Sequence, residues 1–329
     1  MSQSALYSEA QAKKANLTLE RLGLKSWEAD EVKALQTKVG AKPVDGWLGP
    51  KSIAAWKAWA KKNESNPVSG GQEGHLDDPA VLVWPGQFII NGVGHTPPSG
   101  VTVVNFLEPK GVPAELDDTN ERKYPVTQFV FHLGAESHRK DENYAQATER
   151  ILDARGLSTT MTMDIDGAIY QHFDPGLRRG RHATYHNVQS DSMDIGSPFG
   201  STKKPEPGQV PLTFKAAIGR EDDHKPPMSR TYGTVKCLDL TPAQKAALVA
   251  FIPWYCNLRG IPLTACDDWR TFRIGGQGTK DPVTNVKGLV AHMQISDPGR
   301  RVDGVRALMA LKDGGAPIEW RSGEDFLKT

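Results

Sequence analysis

From residue 80 onward, short apolar runs alternate with amphipathic helical stretches, and this interleaving restricts the fold more than any other feature of the chain. The first strand candidates are Val81-Leu82-Val83, Phe88-Ile89-Ile90 and the stretch from Val101 to Phe106. Gln128 to His132 reads as a buried strand and Tyr144 to Arg155 as a helix. Thr159 to Tyr170 divides into two strand halves around Asp166-Gly167, a dipeptide suited to a tight hairpin turn. Met161 and Met163 alternate along the first half and read as core. Thr241-Pro242 opens the clearest helix, with Leu248, Phe251, Ile252 and Tyr255 on its apolar face and Gly260 and Pro262 at its end. Pro253 removes one backbone donor inside that helix and is expected to kink it. Residues 197–232, rich in Pro, Gly and charge, read as a long loop or insertion. Strands and helices in this order predict an α/β domain with a mixed central sheet flanked by helices.

Upstream the pattern is different. Val32, Leu35 and Val39 fall at helical spacing behind Asp30, and a turn-rich stretch spans Gly40 to Gly49. Pro50 sits where a helix tolerates proline best, and the helix it opens carries Ile53, Trp56 and Ala60 on one face. Residues 1–62 therefore read as a small all-α unit. Residues 63–79 are polar and rich in Gly and Ser, the composition of a flexible linker, and residues 80–329 form the second domain.

Bulk properties remove several function classes. The 329 residues carry a net charge of +1, which gives no overall field to recruit nucleic acid or an anionic membrane. No run approaches the roughly 20 apolar residues that span a bilayer. The N-terminus lacks a basic-then-apolar secretion segment, so synthesis in the cytoplasm without a signal of its own is expected. Cys237, Cys256 and Cys266 are too few for a disulfide framework and contain no CxxC pair, so they read as buried free thiols.

The chemistry-bearing segment is Gly288 to Gly304, which places His292 and Asp303 on either side of a Pro-Gly turn holding Arg300 and Arg301. A further histidine, His132, ends the apolar run Val130-Phe131. Two imidazoles and a carboxylate, if a fold brings them together, are a ligand set for catalytic zinc with one coordination position left for water. The alternative for Asp303 is a turn or cap residue before Gly304, and for His132 a hydrogen-bonded core histidine. His138, His172 and His186 read as structural or solvent-exposed. No G-x-S-x-G elbow or phosphate-binding loop is present, and Cys266 has no identifiable base beside it.

These residues carry two resemblances. Val32-Lys33-Ala34-Leu35-Gln36, with Val44-Asp45-Gly46-Trp47-Leu48-Gly49-Pro50-Lys51-Ser52 after it, resembles a peptidoglycan-binding domain of the three-helix type. Residues 125–310 resemble the zinc-dependent N-acetylmuramoyl-L-alanine amidases of the type 2, peptidoglycan-recognition class. The matching pieces, in family order, are the strand Phe129 to His132 and the hairpin Met163 to Gln171. His182-Ala183 with Asn187 and Ser192, the helix opening at Leu240 to Gln244, and His292 through Pro298-Gly299-Arg300-Arg301-Val302-Asp303 complete the series.

The resemblance implies Zn2+ held by His132, His292 and Asp303, with peptidoglycan as the partner of a monomeric chain that engages neither nucleic acid nor membrane. It implies hydrolysis of the amide between N-acetylmuramic acid and L-alanine, with Arg301 stabilising the developing oxyanion. His182 and Asn187 would contact substrate, and Asp45 and Trp47 the wall. A wall-degrading pair of domains without a signal peptide points to a phage endolysin released to the wall by a separate protein.

The pattern departs from the family at several places. Thr159 and Thr160 stand where members often place Tyr and His, Arg301 stands where many carry lysine, and an extra Asp297 precedes the Pro-Gly. The glutamate that comes after the family's Ser-Ile-Gly strand has no counterpart after Ser192-Met193-Asp194-Ile195-Gly196, which leaves Asp194 as the candidate for its catalytic role. The rival expectations are a wall-recognition protein without catalysis, and a zinc hydrolase of another wall-peptide amide.

Overall fold

A computed structural model describes residues 85–106, 108, 120–217, 232–267, 286–295 and 303–328, together with residue 37. The N-terminal helical unit, the linker 63–79 and the strand expected at Val81-Leu82-Val83 lie outside the described residues.

The elements run in the order β1 (Phe88–Ile90), β2 (Val93–His95), β3 (Val103–Val104), β4 (Asn120–Glu121), β5 (Gln128–Leu133) and α1 (Tyr144–Asp153). Next come β6 (Met161–Met163), β7 (Ile169–Gln171), β8 (Arg178–Arg179), a 3-10 turn (Thr184–Val188), β9 (Ser190–Ile195), β10 (Pro211–Ala217) and β11 (Tyr232–Leu238). The chain closes with α2 (Pro242–Arg259), β12 (Thr264–Cys266), β13 (Gly288–Ala291), α3 (His292–Ile295), α4 (Val305–Asp313), β14 (Glu319–Arg321) and α5 (Gly323–Phe326).

Eight strands form one sheet in the order β14-β12-β13-β5-β9-β6-β7-β3. The strands from β14 through β6 are mutually parallel, while β7 turns back antiparallel on β6 and β3 lies parallel to β7. This is the mixed α/β sheet flanked by helices that the alternating pattern predicts.

Register decides what each face carries, because partners aligned across a sheet point the same way and neighbours along a strand point opposite ways. Phe131, Met193 and Met161 form one cross-strand row, and His132, Asp194 and Thr162 form the next. The first row belongs to an apolar face. There Phe129 meets Tyr255 of α2 at 5.4 Å between ring centroids, and Phe251 stacks on Tyr255 at 5.5 Å. The second row belongs to a polar face bearing Gln128, Ser190, Ser192 and Asp194, all buried.

Burying so many polar groups is tolerable only when they are paired, since each left unpaired costs about 1–3 kcal/mol. They are paired. Ser192 Oγ lies 2.8 Å from Thr159 Oγ1, the Ser192 amide donates to Thr160 Oγ1, and Thr162 Oγ1 lies 2.6 Å from His172 Nε2.

Local sequence explains the helix limits. Thr241 and Gln244 close a capping box at the start of α2, and Gly260 ends it in the left-handed conformation at φ 68°. Asn143 and Gln146 make the same reciprocal cap on α1. The helix α2 runs through Pro253 to Arg259 without interruption.

Two expectations are corrected. The strand expected from Val101 to Phe106 shrinks to Val103–Val104, bonded to Ile169–Tyr170. The stretch 197–232 is not simply a loop: Pro211–Ala217 pairs antiparallel with Tyr232–Leu238 over seven residue pairs. Leu212, Phe214 and Ala216 turn inward there, while Pro211, Thr213 and Lys215 are exposed. That two-residue period is strand patterning, and the Pro, Gly and charge around it hide it at the level of composition.

Candidate functional site

The site lies at the carboxyl ends of neighbouring parallel strands, the usual position for ligand sites in open α/β sheets. His132 is the penultimate residue of β5, and His292 comes directly after β13 and begins α3. Because β5 and β13 pair in register through Ala291 and Phe131, the two histidines emerge side by side. Their ring centroids are 4.3 Å apart. Asp303 arrives from the turn before α4. Its carboxylate accepts from the Leu133 amide through Oδ1, and its Oδ2 lies 2.8 Å from His292 Nδ1. The Met293 amide donates to the Asp303 carbonyl at 3.1 Å, so the backbones of the two segments are tied as well.

Asp303 is held from behind. Gly304 adopts φ 83°, and a Cβ at that position would run into the Phe131 carbonyl, so only glycine allows the chain to pass this close to β5. Arg306, buried in the first turn of α4, donates from Nη1 to the carbonyls of Pro198 and Leu238 at 3.1 and 3.0 Å.

His132, His292 and Asp303 offer ligand atoms that all lie within 4.8 Å of one another; both histidines are buried and Asp303 is partly buried. The group could hold a metal ion. Two imidazoles and one carboxylate suit zinc, and three protein ligands leave a coordination position open.

Around this centre the polar face is built in layers. His132 Nε2 lies 3.1 Å from His182 Nδ1, with the two rings nearly perpendicular at 89°. His182 Nε2 lies 3.2 Å from Ser190 Oγ, which donates to the His186 carbonyl at 2.6 Å. The Asn187 side-chain oxygen accepts from the amides of His182 and Ala183 at 2.9 and 2.6 Å and fixes the loop that presents His182. Burial drives the His182 ring well below the usual histidine range, with smaller contributions from the neighbouring His292 and Arg122 side chains. Burial, with a smaller contribution from His292, lowers His186 to about 4. Both rings are therefore neutral near pH 7.

Asp194 stands in register with His132 on β5 and with Thr162 on β6, on the same buried face of the sheet. Thr159 and Thr160 are fully buried and bonded to Ser192. Arg301, Asp45 and Trp47 lie outside the described residues. His172 is buried, with Nδ1 3.2 Å from Glu149 on α1, while His138 is exposed. All three cysteines are buried and free.

The contacts of His132 with His182, and of His182 with Ser190, were not legible in sequence. The partners of the first are 50 residues apart, and only the pairing of β5 with β9 brings them together. The one available signal was the histidine-alanine pair shortly before a serine-rich strand.

No family profile matches the chain, and no curated protein matches it. Among solved structures it is similar to the endolysin N-acetylmuramoyl-L-alanine amidase LysCS from Clostridium intestinale URNW. The identity is 15%, covering 56% of this chain and 81% of that one, with a TM-score of 0.28. So loose a similarity assigns nothing to this chain, and the reading of the site rests on its own residues. Among the described residues, no helix is long and apolar enough to cross a membrane.

Proposed function

We propose that this protein is a zinc-dependent peptidoglycan amidase that cleaves the bond between the lactyl group of N-acetylmuramic acid and L-alanine of the stem peptide. The observation that carries this reading is the convergence of His132, His292 and Asp303 at the carboxyl ends of β5 and β13. The motif order resembling type 2 amidases supplies the substrate class. When bound, zinc supplies Lewis acidity toward the scissile carbonyl and makes water nucleophilic near neutral pH.

The chain's own groups do the rest. A carboxylate oxygen of Asp194 accepts the proton released as water adds to the carbonyl, and returns it to the leaving L-alanine nitrogen. The Arg301 guanidinium stabilises the negative charge that develops on the carbonyl oxygen. His182 and Asn187 border the cleft and contact the stem peptide, while Asp45 and Trp47 hold the wall and raise the local substrate concentration. This pairing of modules suits an endolysin delivered to the wall by a separate protein.

His292→Ala tests the reading. It is expected to lower zinc content below one ion per chain and to abolish release of stem peptides from purified walls, with loss of at least about 100-fold in rate. Undiminished release would overturn the zinc assignment. Tight wall binding by the unaltered protein without any release would favour the recognition protein instead.

A further inference from the structure

The proposed hydrolysis uses neither Arg306 nor Ser197, yet each buries a polar group that its neighbours leave unmatched. Arg306 is only 4% exposed, and its Nη1 holds α4 to the carbonyls of Pro198 and Leu238. Its Nη2 is buried and has no hydrogen-bond partner among the described residues. Ser197, directly before Pro198, is fully buried, and its Oγ has none there either. The Phe199 ring closes over the guanidinium, with 4.9 Å from the ring centroid to Cζ.

Charge is unmatched at the same place. Burial lowers the Arg306 guanidinium to about 10, which still leaves it a cation at pH 7. Asp239 spends its carboxylate on Lys245 Nζ at 2.6 Å and on the Leu240 amide at 2.7 Å. Glu136 faces Lys203 at 4.0 Å. Burial pushes Cys237 up to about 11, so that neighbour is a neutral thiol. The helix α4 adds to the imbalance, because Gly304 caps it without a side chain and no acidic residue stands in its first turn. A buried charge is tolerated when a group of opposite sign meets it.

We propose that Arg306 Nη2 and Ser197 Oγ form a binding site for a small monovalent anion, of chloride size, at the carboxyl end of β9. Guanidinium and hydroxyl both donate to the ion, and its single charge balances that of Arg306. Closure selects the occupant: donors buried this deeply admit a halide and exclude phosphate or a peptide carboxylate. The bound ion ties the first turn of α4 to the segment that follows β9, so occupancy stabilises the folded chain. The inference goes beyond the zinc reading and does not depend on it.

Urea unfolding of the full chain tests the site, with sodium gluconate exchanged for chloride or bromide at one ionic strength. Each series is repeated with a chelator present, which separates this site from a halide bound to a metal. Chloride and bromide are expected to raise the midpoint along a saturating binding curve, since gluconate is too large to enter. Above the dissociation constant, each tenfold rise in chloride should raise the folding equilibrium constant about tenfold. Ser197→Ala is expected to weaken the apparent chloride affinity about tenfold, and Arg306→Met to abolish the dependence. Should Arg306→Met fail to fold, Ser197→Ala and the anion series on the unaltered chain still decide. A midpoint that ignores the exchange of gluconate for chloride would overturn the proposal. So would a chloride dependence that is lost with the chelator, or one that is undiminished in Ser197→Ala.

Discussion

Residue by residue, the polar face works because each buried group has its orientation dictated by the next. Gln128 donates its amide nitrogen to the Val286 carbonyl, which turns its oxygen toward His186 Nδ1 at 2.9 Å. His186 is therefore a neutral donor, and its fall to about 4 from the ordinary 6.5 has a stability consequence. Between those two values the unfolded chain binds a proton that the folded protein does not, so stability increases with pH across that window. Acidification from pH 6.5 to 4 is expected to remove up to about 3 kcal/mol through this one group, with no further loss from it below pH 4. His186→Gln should flatten that part of a stability–pH curve measured by urea unfolding. An unchanged slope would show that His186 is not held neutral. At this same scale the sequence was partly legible. The ligand-type residues His132, His292 and Asp303 could be named from their context, but the orienting groups Ser190, Gln128 and His186 are ordinary polar residues until the strands bring them together.

Among the elements, α2 is the strut on which the sheet rests, and its two ends are anchored differently. At its start Gln244 donates to the carbonyls of Asp164 and Gly196, each at 3.0 Å. This ties the helix to the β6–β7 hairpin and to the end of β9, beside the site. Near its other end Tyr255 and Arg259 bond the buried carboxylate of Asp191 at 2.7 and 2.9 Å, and Arg122 pairs with the same group. Removing that carboxylate would leave two guanidinium groups in a dry setting without their counter-ion. Asp191→Ala is expected to cost about 3–5 kcal/mol, seen as a lower urea midpoint with little change in slope. A loss below about 1 kcal/mol would mean that water reaches the cluster. The helix α2 was plain in the sequence because cap, apolar face and terminating glycine agreed. The hairpin of β10 and β11 was not, since alternation over seven residues is a weaker signal than the surrounding proline, glycine and charge. No periodicity identifies Asp191 as the acceptor of two arginines distant in sequence.

For the whole molecule, the proposed function joins a hydrolytic centre at the carboxyl ends of the sheet strands to a wall-binding module at the N-terminus. The two tasks should separate experimentally. Trp47→Ala in the full chain is expected to reduce co-sedimentation with purified walls several-fold while leaving hydrolysis of a soluble muropeptide unaltered. Equal loss of both would mean that residues 1–62 serve the catalytic domain rather than the wall. The order of strands and helices made the α/β class readable, whereas the strand order across the sheet depends on long-range pairing that local pattern does not encode. The central claim is that water is added across one particular amide. Mass spectrometry of the fragments released from purified peptidoglycan tests it most directly. The expected products are stem peptides with a free L-alanine amino group, alongside glycan chains whose lactyl carboxylates are exposed. Fragments cut within the stem peptide or between sugars, or no release by zinc-loaded protein, would contradict it.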